Sequence, residues 1–252
     1  MKRGIKGQTT VFIVIGIAVV IIALLLFYLN FGNKIEKDYE FDIQPVSSFI
    51  DSCLESSLKA GVNYVGFQGG YYNKPVISKY YNHYNIPYYW YDNENSVPEI
   101  KTIEDEISKY IENYFSICID DFKNFENSKY EIEQEEISVE TTINNDDVEI
   151  DVDYPVVIKF QEKSVNINEF SSDTTSNLKK AYDASRLIIE EQEKTPDEMP
   201  LGFIVELADE NGFTFETVTD GNEIIYSLIF GENNGFIYNF VANYEWEVEN
   251  EE

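Results

Sequence analysis

Histidine occurs once in the 252 residues and cysteine twice, with no CxxC pair. Thiolate–imidazole metal sites and CxxC redox chemistry are therefore not expected. Basic residues are also scarce, 18 Lys+Arg against 47 Asp+Glu, for a formal charge of −29. A surface that acidic repels phosphate backbones, which excludes nucleic acid as a partner. The many asparagines form no N-x-Ser/Thr sequon, so N-glycosylation is not expected. Gln68-Gly69-Gly70 is too short for a phosphate loop, and no Lys-Ser/Thr follows it. The single histidine, His83, stands in Tyr80-Tyr81-Asn82-His83-Tyr84 without a local nucleophile motif, so it reads as an exposed or loop-packing residue. No catalytic residue and no cofactor is assigned.

Aromatic residues are plentiful at 15% of the chain, which argues against disorder. The strongest signal is Val11 to Leu29, 19 consecutive uncharged residues that are apolar apart from Gly16 and Tyr28. As a helix this run spans roughly 28 Å, close to the ~30 Å of a bilayer core. The spacing predicts a basic segment over 1–10, a transmembrane helix over 11–31, a linker over 32–45 and an acidic domain over 46–252. Residues 1–34 hold four basic residues (Lys2, Arg3, Lys6, Lys34) and no acid, so 35–252 carries 14 basic and all 47 acidic residues. Lys2, Arg3 and Lys6 before the span, against Lys34 and Lys37 diluted by Glu36 and Asp38 after it, point the N-terminus to the cytoplasm. The expected partner of 11–31 is the lipid bilayer, and the expected location is a single-pass cell membrane protein with its C-terminal domain outside. Leu29-Asn30-Phe31-Gly32 offers no small-x-small site for a secretory peptidase.

Lys6-Gly7-Gln8-Thr9-Thr10-Val11-Phe12, with basic residues upstream, resembles the class III signal of archaeal type IV pilins and archaellins. The resemblance covers about 25 residues and implies cleavage between Gly7 and Gln8, with the apolar helix retained on the mature chain. Two departures stand against filament assembly. The family often has Glu at the fifth mature position, where this chain has Phe12, and Asn30-Phe31-Gly32-Asn33 reads as a helix stop.

Beyond the linker, an apolar stripe at three- and four-residue steps over 46–65 predicts a helix started by Pro45. A second runs from a Thr102 cap, with Asp105 at capping-box distance, through Ile103, Ile107, Tyr110, Ile111, Tyr114, Ile117, Cys118 and Phe122 on its buried face. Strands follow over 130–143, 147–153 and 156–160, a third helix over 174–193, and strands over 213–218, 223–230 and 235–244. Asp220-Gly221-Asn222 and Asn233-Asn234-Gly235 supply the tight turns between the last three. Helices interspersed with antiparallel meanders predict an α+β domain.

Three features are candidates for function. Cys53 and Cys118 both fall on apolar helix stripes outside the cytoplasm; an even count in oxidising surroundings favours a disulfide, the alternative being two buried free thiols. The stretch from Gln68 to Tyr91 carries Tyr71, Tyr72, Tyr80, Tyr81, Tyr84, Tyr88, Tyr89, Trp90 and Tyr91, with Pro75 and Pro87 breaking regular structure. It reads as an aromatic loop that either covers the flanking helices or binds a protein or glycan. Asp147, Glu149, Asp151 and Asp153 alternate along one strand face and, like Asp220 and Glu223, could gather Ca²⁺; they lack EF-hand spacing, and such a pattern ordinarily marks a solvated face. The leading reading is a membrane-anchored surface interaction or envelope-structural protein with no catalytic site. A pilin-like subunit and a carboxylate-based surface hydrolase are the alternatives. Homo-oligomerisation stays open.

Overall fold

The computed structural model describes residues 7–31, 41–231 and 235–244, with the side chains of the first helix described over 14–26. It divides into two units, 1–42 and 43–252. The first holds helix α1, Gly7–Phe31, which contains the whole uncharged run. From Val14 to Leu26 its side chains are exposed. Among the described residues no helix is long and apolar enough to cross a membrane, 14–26 being shorter than a span. The basic segment over 1–6 and the linker over 32–40 lie outside the described residues.

The second unit is mixed α+β, as its patterning predicts. In chain order it comprises α2 (Gln44–Phe67), β1 (Ser78–Tyr81), β2 (Tyr84–Tyr91), β3 (Glu94–Asn95) and α3 (Ile100–Ile119). There follow β4 (Glu131–Gln134), β5 (Ser138–Ile143), β6 (Asp147–Phe160) and β7 (Lys163–Thr175). The last described elements are α4 (Leu178–Gln192), α5 (Leu201–Asn211), β8 (Phe213–Asp220), β9 (Glu223–Phe230) and β10 (Phe236–Asn243). One sheet has the order β1-β2-β10-β9-β8, with β3 beside β2 and only the β2–β10 pair parallel. In the other, β6 is central, pairing along one edge with β4 and β5 in succession and along the other with β7. Helix α2 packs against α3, β7 and β10, α3 against β5, α4 against β9 and β10, and α5 against β8.

Strand β6 shows how the pattern becomes a core. Val148, Ile150, Val152, Tyr154, Val156, Ile158 and Phe160 are buried, while Glu149, Asp151 and Asp153 between them are exposed. The alternation follows from the period of two along a strand. Pro155 does not divide it. The register with β7 shifts between Asp153 and Val156, which frees the position lacking an N–H, and on the other edge the Pro155 carbonyl accepts from the Glu135 amide at 3.0 Å.

Other boundaries move for identifiable reasons. Helix α3 starts at Ile100 after extended Glu99, so Thr102 falls inside the first turn and makes no cap. Tyr114, Ile117 and Cys118, expected on the buried face, are exposed, because the stripe that packs is Ile103, Ile107, Tyr110, Ile111, Phe115 and Ile119. The third helix begins at Leu178 because β7 runs on to Thr175 opposite Asp147. Helix α5 lies between Pro200 and Gly212, whose φ of 66° is the left-handed C-terminal cap geometry glycine supplies without strain. The Asn233-Asn234-Gly235 turn falls largely outside the described residues.

A disulfide joins Cys53 on α2 to Cys118 on α3. Cys53 is buried and Cys118 lies at the surface.

Candidate functional site

Only 68–77 of the tyrosine-rich stretch is loop; Ser78–Tyr81 and Tyr84–Tyr91 are strands, which corrects in part the expectation of a loop throughout. Asn82 and His83 have φ of 47° and 72°, and Asp92 and Asn93 have 55° and 58°. Two consecutive left-handed residues are what a tight two-residue hairpin turn requires, and Asn and Asp tolerate that region better than most. β1, β2 and β3 are thereby folded into successive hairpins. Pro87 is accommodated in β2 because the ladder to β10 is short, pairing only Tyr88 and Trp90.

The strands sort the expected binding residues by face. Tyr88, Tyr89 and Trp90 are buried. The Tyr89 hydroxyl donates to the Gly69 carbonyl at 3.0 Å and lies 2.6 Å from the Tyr238 hydroxyl, with its ring stacked on Phe240. Burial pushes the Tyr89 and Tyr238 phenols well above their ordinary range, so both stay protonated. Tyr81 and Tyr84 pack beside Ile86, Tyr88, Ile225 and Val241 on the opposite sheet face. Tyr80, 68% exposed, approaches His83 Nδ1 with its hydroxyl at 3.3 Å, and Tyr91 packs edge-on against Tyr88. Tyr71 and Tyr72 are half-buried.

Two polar clamps hold this region in place. Glu106 on α3 is 6% exposed and accepts from the Asn73 amide at 2.8 Å, the Tyr72 amide at 3.0 Å and Lys109 Nζ at 2.6 Å. Burial by itself would raise this carboxyl; the hydrogen bonds from Lys109, Asn73 and Tyr72 outweigh it and hold the group below the ordinary value of 4.5. A depressed folded-state pKa contributes stability above the unfolded value that is lost as pH falls through the folded one. Wild type is therefore expected to be more stable than Glu106→Gln at neutral pH, with the gap closing below pH 4.5. Urea unfolding of both chains at stepped pH checks this; a gap that persists at the lowest pH contradicts it. The second clamp is Lys79 of β1, which reaches Asp220 at 2.7 Å and also Glu223, while the Tyr88 hydroxyl donates to Glu223. Burial lowers the Lys79 ammonium, and its hydrogen bonds to Asp220 and Glu223 outweigh that and raise it. The expected calcium candidates Asp220 and Glu223 are thus bound to a lysine.

The corner Gly69-Gly70 makes the approach possible. Gly69 has φ of 56°, and a Cβ there would stand 2.3 Å from the Asn239 carbonyl oxygen. Gly69→Ala combines a left-handed alanine with a backbone clash, and is expected to lose about 3 kcal/mol. Equilibrium urea denaturation measures this; a loss below about 1 kcal/mol contradicts it.

A band of rings, half-buried to exposed except for the buried Tyr110, runs from the hairpin across α2 to α3. Tyr84 contacts Phe67 with ring centres at 4.6 Å, and Tyr64 at 6.1 Å. Tyr64 meets Tyr72 at 6.0 Å and Tyr110 at 5.3 Å, and Tyr110 stacks on Tyr114 at 4.6 Å. Tyr114 is 47% exposed. Burial raises the Tyr64 and Tyr110 phenols, so these two stay protonated. Ring faces with hydroxyl tips can stack on apolar or sugar rings and hydrogen-bond at their edges. Only Tyr72 and Tyr84 of the expected set belong to it. Tyr64, Tyr110 and Tyr114 carry no sequence signal for it, since Tyr110 and Tyr114, one helical turn apart, read as core.

Asp147, Glu149, Asp151 and Asp153 stay on the β6 face. Three of them have an acid on one neighbouring strand, Glu140 opposite Asp151, Asp173 opposite Glu149 and Glu169 opposite Asp153, while the remaining partners are Ser138, Thr142, Ser171 and Thr175. Among the described residues no three His, Cys, Asp or Glu side chains converge to hold a metal. A groove of about 610 Å³ between the end of α3 and β4–β5 includes Glu112, Asp121, Glu135 and Glu136. Two of these already have structural work: Glu112 accepts from the Val139 amide and Asp121 from Gln134. The chain matches no family model, and no characterised protein or solved structure is similar to it.

Proposed function

We propose that the protein is a single-pass membrane-anchored surface protein whose acidic α+β domain lies outside the cytoplasm and engages a protein or glycan through the aromatic band. The observation that carries the anchor is α1: a 25-residue helix that contains the uncharged run from Val11 to Leu29 and exposes its apolar side chains from Val14 to Leu26. Apolar side chains with no aqueous reason for exposure gain about 25 cal/mol per Å² on entering an apolar phase. Lys2, Arg3 and Lys6 before the helix favour a cytoplasmic N-terminus. The Cys53–Cys118 disulfide suits an oxidising compartment on the other side.

The band supports the binding half of the reading, since rigid tyrosines give large contact area at low entropic cost. Full-length chain in detergent, wild type and with Tyr84→Ala plus Tyr114→Ala, tests it by pull-down from envelope extract. Partners retained by wild type and lost from the variant are expected. Identical recovery contradicts it. We propose no catalytic role.

The alternative of a pilin-like subunit is favoured by the sequence Lys6-Gly7-Gln8, whose last two residues open α1. Intact mass from native membranes separates the two: a chain starting at Gln8 together with filaments containing it supports a subunit, and an uncut start supports a plain anchor.

A further inference from the structure

Among the described residues, the long edge of the first sheet with no further strand beside it is β8, which ends the strand order. It pairs with β9 from Phe213↔Phe230 to Asp220↔Glu223 without a register shift. An open edge presents a row of backbone donors and acceptors, and proteins ordinarily blunt it by shortness, lysine, proline or a bulge. β1, at the opposite edge, is four residues long and carries Lys79. β8 is twice that length, reads Phe-Thr-Phe-Glu-Thr-Val-Thr-Asp, and has no lysine, proline or bulge. Thr214, Glu216, Thr217, Val218 and Thr219 are all exposed.

Apart from Lys79 at its end, charge around this edge is negative. From Thr195 to Glu252 the sequence has no Lys or Arg. Helix α5, packed on β8, exposes Glu206, Asp209 and Glu210, and β8 adds Glu216. The nearest cation, Lys79, is already shared by Asp220 and Glu223. A second copy of this chain would bring the same acids and be repelled. A strand with lysine or arginine at alternate positions would satisfy both the backbone edge and Glu216.

We propose that β8 receives an extended, basic segment of another polypeptide by β-strand addition, forming a new ladder on the free side of the sheet. The site is separate from the aromatic band, so either can fail without the other.

The test uses the full chain in detergent and an acetylated, amidated seven-residue peptide alternating Lys and Val. A second peptide has the same side chains but N-methyl groups on its ladder-forming amides. Binding is followed by titration and by amide exchange. The expected result is saturable binding of the first peptide with at least tenfold slower exchange over 213–220. The N-methylated peptide should bind at least tenfold more weakly, as should the first peptide to a Val218→Lys chain, a substitution at an exposed site. Equal binding of both peptides would overturn the proposal by reducing it to charge attraction. A footprint over 71–91 in place of β8 would also overturn it, as would β8 already protected by self-association.

Discussion

Removing the Cys53–Cys118 bridge is expected to lower stability by about 4 kcal/mol. The two cysteines are 65 positions apart. On the chain-entropy account, closing a loop of that length removes freedom from the unfolded chain worth about that amount. In a domain of this size the loss corresponds to roughly 10 °C in Tm. The two ends of the bridge differ. Cys118 is exposed, so Cys118→Ser removes the link and leaves Cys53 as a buried thiol, which behaves as a small hydrophobe. Cys53→Ser removes the link and also puts a hydroxyl among the apolar contacts between α2 and α3, adding about 1 kcal/mol or more. Thermal melts of full-length wild type, with and without reductant, and of both variants check this. Reductant should bring wild type down to the Cys118→Ser value and leave the variants unchanged. A wild-type melt insensitive to reductant contradicts it.

The second large effect is expected at Gln192, at the C-terminal end of α4 and 1% exposed. Its Nε2 donates to the carbonyls of Thr195, Pro196 and Glu198 at 2.9, 3.0 and 3.0 Å. Its Oε1 accepts from the Tyr244 hydroxyl at 2.7 Å, and that hydroxyl lies 2.6 Å from the Tyr226 hydroxyl. One amide therefore ties the turn after α4 to the buried tyrosines of the first sheet. Burial pushes the Tyr244 phenol up to about 12, so it remains a donor throughout the physiological range. Gln192→Leu keeps the volume and removes every one of these bonds. Each stranded buried polar group costs about 1–3 kcal/mol, and with some of the carbonyls turning to water the total is about 4 kcal/mol. Tyr244→Phe removes only the hydroxyl end of the network and should cost about 1–2 kcal/mol. Urea denaturation of the two variants gives the comparison. A Gln192→Leu chain within 1 kcal/mol of wild type would contradict this role for the side chain.

The α+β class was legible because period is a direct consequence of geometry. The alternating acids and valines of β6 and the three- and four-residue steps of α2 and α3 fall where the backbone puts one face inward. The pairing of Cys53 with Cys118 was legible from their even number, although Cys118 lies off the stripe of α3 that packs. What sequence obscured had local causes. β7 has no fully buried residue, so its alternation is weak and the helical pattern that follows overlaps its last residues. α5 leaves Leu201 and Val205 exposed, which breaks the apolar stripe that would have announced it. The tyrosine hairpins were hidden because Asn82-His83 and Asp92-Asn93 make turns usually signalled by glycine. The aromatic band joins residues of α2, β2 and α3 with the segment between α2 and β1, and no window of sequence contains that juxtaposition.

The central proposal is that α1 is a membrane anchor with the acidic domain outside. Protease shaving of intact cells, followed by separation of membranes and released peptides, tests both parts together. The account predicts that external protease releases peptides from 46–252, with Cys53 and Cys118 still linked. The segment over 11–31 should stay with the membrane pellet through carbonate extraction. A chain that resists external protease until the cells are broken, or that leaves the pellet in carbonate, would contradict it.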